Sequence, residues 1–172
     1  MKRMQDVIFY NYKNKNPLTQ GITEDEVRKL ASDLGKRLSW SGKQIEPSEE
    51  SLAQLFNELV SYHNQLSSHG YSFSENEHLL IVREITAYIG YTVLHFKGGE
   101  WNNPGGLLDV GIKFSGDFES MKGNKVTKST IRVENLGYLT AGIWDGVLMG
   151  INIDITEYYK AFAKKRIKET LK

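Results

Sequence analysis

The chain has 172 residues, of which 40% are hydrophobic, 25% charged and 11% aromatic, the balance of a folded globular chain rather than a disordered one. Without a single cysteine, disulfides, thiolate catalysis and cysteine-ligated zinc or iron–sulfur centres are excluded. A formal net charge of +1 gives no overall field that would gather nucleic acid.

This length suits one globular domain spanning 1–172. The start, MKRMQDVIFYNYKNKN, has basic residues but no long apolar core and no small-residue cleavage site, so no secretory signal is expected. The most apolar stretch, Leu136–Ile151, contains Asp145 and four glycines and is short for a bilayer span. A soluble, cytoplasmic protein with no membrane partner is expected.

Residues 5–12, QDVIFYNY, contain the β-formers Val7, Ile8, Phe9 and Tyr10 and predict a short strand or an extended arm. KNKNPLTQG is polar and turn-like. A helix follows, with Thr23 and Glu26 at capping-box spacing and Glu24 and Asp25 in the positive first turn. Its apolar stripe is Val27, Leu30, Ala31, Leu34 and Leu38. A second helix starts near Pro47–Ser48, aligns Leu52, Leu55, Phe56, Leu59, His63 and Leu66 on one face, and ends at SSHG. The short connector between these two predicts an antiparallel hairpin.

The third helix opens on a capping box of Ser74 and Glu77 and runs to Lys97, with Gly98 as its stop. Ile81, Val82, Ile85, Tyr88, Ile89, Thr92 and Phe96 cover a broad arc, and Ala87, Gly90 and Leu94 fall behind it. A helix apolar on nearly all sides is a buried one, so this is the expected centre of the fold. Beyond Gly99 the period becomes two: Leu108, Val110, Ile112 and Phe114 alternate with Asp109, Gly111 and Lys113 as a half-buried strand. SGDFESMKGNK reads as a turn-rich connection, and VTKSTIRV, Val126–Val133, as an antiparallel partner strand.

In ENLGYLTAGIWDGVLMG, Gly142, Gly146 and Gly150 recur every four residues. Each costs up to about 1 kcal/mol against alanine inside a helix, and a crossing with the small residues Ala87 and Gly90 would compensate. A last helix begins at Asp154 and Glu157, with Ile155, Tyr158, Tyr159, Phe162 and Ile167 as apolar contacts. The expected fold is therefore α+β, about five helices with a buried central helix, packed with a small antiparallel sheet of two to four strands.

Residues 155–172 hold six Lys or Arg against two Glu. Such a balance suits a basic contact helix, or a solvated helix whose cations complement its dipole. No arginine-rich run or interleaved aromatics accompany the lysines, so nucleic acid is not the expected partner.

His63, His69, His78 and His95 form no HxxxH, HxH or HExxH arrangement, and no P-loop, GxSxG elbow or dinucleotide fingerprint is present. No metal, cofactor or catalytic residue is therefore implied. Three polar groupings remain. Glu84, Tyr88, Tyr91 and His95 share a narrow sector of the third helix, either an acid–base seam or a hydrogen-bonded edge between core and solvent. Trp144 and Asp145 sit in a mostly apolar helix, where a buried carboxylate needs a partner such as a tyrosine hydroxyl, Arg83 or a backbone amide. Trp101, Asn102 and Asn103 form an exposed recognition loop or the turn into the sheet.

The stretch AYIGYTVLHFKGGEW, the two strands after it and VENLGYLTAGIWDGVL together resemble small, mostly uncharacterised bacterial domains, including immunity proteins of polymorphic toxin systems. In these a Tyr-x-Gly helix leads to a Gly-Gly-x-Trp turn and a β-hairpin. The matching positions are Tyr88, Gly90, Gly98, Gly99 and Trp101. The resemblance implies a protein that binds or neutralises another protein, without catalytic activity. On this reading the binding candidates are Trp101, Asn102, Asn103, Trp144 and Asp145. The competing expectation is a small enzyme or ligand-binding domain with a polar pocket near Glu84, Tyr91, His95 and Asp145.

Overall fold

The computed structural model describes residues 2–39 and 45–162. Among these, six α-helices and a three-stranded antiparallel sheet form an α+β fold. In chain order they are α1 (Met4–Lys13), α2 (Glu24–Leu38), α3 (Glu49–Ser68), α4 (Glu75–Lys97), β1 (Glu100–Asn102), β2 (Gly111–Lys122), β3 (Lys125–Asn135), α5 (Gly137–Met149) and α6 (Ile155–Ala161).

The central helix is α4. Ser74 Oγ accepts from the Glu77 amide at 3.2 Å while Glu77 Oε1 accepts from the Ser74 amide at 3.1 Å, closing the capping box. Gly98, at φ +81, ends the helix in a conformation that L side chains avoid. Every residue from Ile81 to Gly90 is buried. By length and composition α4 could span a membrane, yet 72% of its most apolar window is buried inside the fold, as in a core helix.

Residues 5–12 are not a strand or an arm but most of α1. The deciding pattern is Met4, Ile8 and Asn11, one buried residue per helical turn, while the β-formers Phe9 and Tyr10 face solvent. Tertiary burial of one stripe overrides local strand propensity here. Nor do α2 and α3 form a closely packed hairpin: α2 lies chiefly along α4, and α3 packs mainly against α5 and α6, with lesser contacts to α2 and α4. The stripe of α2 (Val27, Ala31, Leu34 and Leu38) is buried.

The sheet order is β1-β2-β3. Its second strand starts later and ends later than the alternation suggests. Leu107–Asp109 is a single 3₁₀ turn, and β2 continues through SGDFESMK to a tight turn at Gly123, φ +65. The Ser and Gly residues of that segment mark a register shift between Ser115 and Phe118 rather than a loop. Ile112 and Phe114 of β2 turn inward, and residues 123–130 of the hairpin are all exposed.

The proposed glycine crossing is absent. Gly90 lies under the Trp101 ring, where a Cβ would come within 2.5 Å of it, and a Cβ on Gly146 would meet the Ile151 carbonyl oxygen at 2.7 Å. Gly150 is a left-handed helix end at φ +73. Instead α4 and α5 are joined by a buried hydrogen bond between the Thr86 and Thr140 hydroxyls at 2.6 Å. Asp154 caps α6 by accepting from the Glu157 amide at 3.2 Å. Of the apolar contacts expected there, Ile155, Tyr159 and Phe162 are buried and Tyr158 is exposed. Ile167 and the basic residues from Lys164 onward lie outside the described residues.

Candidate partner-binding face

The polar groupings legible in the sequence are mostly internal fastenings. Trp101 is half-buried and not an exposed loop residue, and its Nε1 donates to the Ile22 carbonyl at 2.6 Å. Asn103 Nδ2 donates to the same oxygen at 3.0 Å, and Asn102 pairs with Gly111 in the sheet. The Trp101–Asn103 segment thus clasps the chain just ahead of α2. Arg83 holds that same approach from α4, donating to the Gln20 carbonyl at 2.6 Å, to the Gly21 carbonyl at 2.9 Å and to Glu26 at 3.3 Å.

Trp144 is fully buried, and its indole N–H donates to His78 Nδ1 at 3.0 Å. Phe73 and His63 complete an aromatic cluster around it, with ring centroids 6.2 and 5.9 Å from the indole. Asp145 is buried and accepts from the Met4 amide at 2.9 Å, so its partner is the first turn of α1, where the helix dipole favours an anion. Burial pushes the Asp145 carboxyl above its ordinary range, and the Met4 amide works against that.

The four groups expected to share a pocket do not converge. Glu84 is gripped by Arg37 of α2 through two bonds, at 2.8 and 2.7 Å, and Arg37 also donates to the Tyr62 hydroxyl at 3.0 Å. Burial pushes Glu84 upward while Arg37 pulls it down, and Arg37 itself is held firmly cationic by Glu84. The two-pronged contact is that of an ion pair. Tyr91 and His95 stack on each other at 6.0 Å further along α4, and Asp145 is tied to α1. Tyr88 donates its hydroxyl proton to the Glu46 carbonyl at 2.9 Å and lies 2.6 Å from the Ser51 hydroxyl, fastening α4 to the start of α3. A cleft of about 520 Å³ beside Tyr91 is lined by Arg28, Ser32 and Lys36 of α2, and neither Glu84, His95 nor Asp145 is among its lining residues. Among the described residues no three acidic or histidine side chains are placed to hold a metal ion.

What the sequence reading missed lies on the outer side of α1, α5 and α6. Gly137 lets the start of α5 press against the 3₁₀ turn, since a Cβ there would come within 2.2 Å of the Leu107 carbonyl oxygen. Asn135 Oδ1 accepts from the Tyr138 amide at 2.9 Å, and Asn135 Nδ2 donates to the Leu108 carbonyl at 2.9 Å. These contacts set Tyr138 beside Asp109. The ring of Tyr12 rests on Gly106 from the other side, and Phe9 of α1 joins them around a cleft of about 120 Å³. Tyr138 also borders a second cleft of about 400 Å³, whose floor includes Gly142 and Leu139 and whose far wall is Tyr158 and Phe162.

No family model, curated protein or solved structure matches this chain. The face must therefore be judged on its own chemistry. Phe9, Tyr12, Tyr138 and Tyr158 are 52%, 40%, 51% and 50% exposed, and between them they border two adjoining clefts. Gly142 lies among them with nothing within 4 Å of where a Cβ would be. A glycine at an exposed position inside a helix costs up to about 1 kcal/mol, and no contact within the described residues requires it. In the helical period of α1 Phe9 falls off the Met4–Ile8 row, whereas Tyr12 continues that row at i+4 and gives no such signal.

Proposed function

We propose that this is a non-catalytic bacterial protein of the cytoplasm that binds another protein, in the manner of an immunity factor, and that it does so through the aromatic face of α1, α5 and α6. The observation that carries this reading is Gly142, open to solvent between exposed Tyr138 and Tyr158. A partner backbone can approach α5 closely only where no Cβ stands, and tyrosines on either side supply rigid contact area at low entropic cost. The polar side chains that could have suggested chemistry are engaged in holding the fold together, as Arg37 with Glu84 and Trp144 with His78 illustrate.

The test is affinity capture from the native host with the full chain and with a Tyr138→Ser/Tyr158→Ser double variant. Both positions are about half-exposed, so the variant is expected to keep the wild-type circular dichroism and melting temperature. The expected result is a stoichiometric protein partner, encoded beside this gene, that the wild type retains and the variant loses. Retention of a small molecule in the Tyr91 cleft with no protein partner would overturn the reading in favour of a ligand-binding domain.

A further inference from the structure

The smaller cleft on this face has a chemistry of its own. Its rim combines the rings of Phe9, Tyr12 and Tyr138 with the carboxylate of Asp109, above a floor that includes Ile8 and Leu107. Asp109 is exposed and makes no ion pair or side-chain hydrogen bond among the described residues. Among the described residues, the two charged residues that line this cleft or the one adjoining it are Asp109 and Glu134, both acidic, and Glu134 is already paired with Arg132 at 2.6 Å.

Volume narrows what can enter. At about 120 Å³ the cleft is well short of the roughly 300 Å³ at which drug-sized or cofactor sites begin. A cleft of this size suits the head of one side chain better than a nucleotide or cofactor. Aromatic faces attract cations through their ring quadrupole, and an anion at the rim adds direct attraction. One ring already behaves this way, since Lys13 Nζ lies 4.6 Å from the Phe9 centroid although Lys13 does not line the cleft.

We infer that the cleft between Phe9, Tyr12, Tyr138 and Asp109 seats a cationic side chain, arginine or lysine, projecting from the protein partner. This rests on reading the surrounding face as a partner-binding surface and names the partner's key contact. The cation lies against the tyrosine and phenylalanine rings with its charge directed to Asp109, while the partner backbone passes over Gly142. Specificity then follows from desolvation: a neutral residue in that position leaves Asp109 without a counter-charge under the partner.

The experiment titrates the full chain with N-acetyl-arginine amide and N-acetyl-lysine amide, followed by amide chemical shifts in NMR spectra. N-acetyl-citrulline amide, which has arginine's shape without its charge, is the control. The expected result is saturable binding of at least one cation, with the largest shifts at Phe9, Asp109 and Tyr138 and at least tenfold weaker binding by citrulline. Tyr138→Ser and Asp109→Asn should each weaken that binding at least fivefold without changing the rest of the spectrum. The stronger of the two cations identifies the partner residue. Equal binding of citrulline, or shifts spread over other acidic surfaces and unaltered by Asp109→Asn, would overturn the inference. Partner capture by the double tyrosine variant separates the two ideas. If cations bind but capture survives the variant, the cleft is a cation site that the partner does not use, and the partner-face reading falls and takes this inference with it. If capture is lost but no cation binds, the face stands and this inference falls.

Discussion

At His78 a single hydrogen bond fixes a protonation state. Nδ1 accepts the Trp144 indole N–H at 3.0 Å, so in the folded protein that nitrogen carries no proton. Partial burial and the nearby imidazole of His63 on α3 lower the His78 pKa, against a weaker upward pull from Glu77 and Glu75 on its own helix. The folded value therefore lies below the ordinary 6.5 that the unfolded chain keeps. As pH falls through about 6.5 the unfolded state takes up a proton first, and stability drops until the folded-state value is passed. Urea midpoints measured between about pH 7.5 and about pH 5.5 should fall more steeply for the wild type than for His78→Gln. The glutamine amide oxygen can still accept from Trp144 but does not titrate. Parallel slopes for the two proteins would show that His78 is not the group responsible.

On α5, two glycines four residues apart stand in opposite surroundings. Gly142 has open space where a Cβ would be, and Gly146 has the Ile151 carbonyl oxygen at 2.7 Å and Ile153 Cγ1 at 2.7 Å. Alanine at 142 should stabilise the protein by up to about 1 kcal/mol through helix propensity alone. Alanine at 146 should destabilise it, by about 1–3 kcal/mol, because backbone has to move. Chemical denaturation of the two variants checks both signs, and a destabilising Gly142→Ala would show that the site is packed rather than open. The contrast also marks how far sequence carries. The four-residue glycine spacing is visible in the chain, and it suggested one shared packing role. Three different causes produced it: an open surface, a close carbonyl and a left-handed helix end. Capping boxes at Ser74 and Thr23 and the two-residue period around Ile112 were legible because their causes are local. The helical state of α1 was not, since Val7, Ile8, Phe9 and Tyr10 favour a strand locally and packing against distant α5 and the 3₁₀ turn Leu107–Asp109 buries Ile8. The aromatic face was hidden for the same reason, because it is assembled from α1, the 3₁₀ turn, α5 and α6.

Across the whole molecule α1 closes the fold, and the β2–β3 hairpin extends from it. The Met4 amide reaches Asp145, 141 positions away, and Asn11 Nδ2 donates to Glu75 Oε1 at 2.8 Å on the central helix. Met4 and Ile8 are 3% and 1% exposed. Burial of each contributes about 1.5–3 kcal/mol. Loss of α1 would also uncover the apolar side of α5 and leave Asp145 without its donor, a further cost of about 1–3 kcal/mol. Together these approach the whole stability of about 5–15 kcal/mol available to a domain. Deletion of residues 2–13 should therefore abolish cooperative unfolding in calorimetry. A shorter cut in the hairpin should behave differently. Joining Glu119 to Lys128, which pair across the strands, through an Asn-Gly turn removes a segment whose described side chains are exposed. That variant should keep its melting transition within a few degrees. A truncated chain lacking α1 that still melts cooperatively would mean the core is complete without it. The aromatic face, which depends on α1 for Phe9 and Tyr12, would then be an added surface rather than part of how the protein folds.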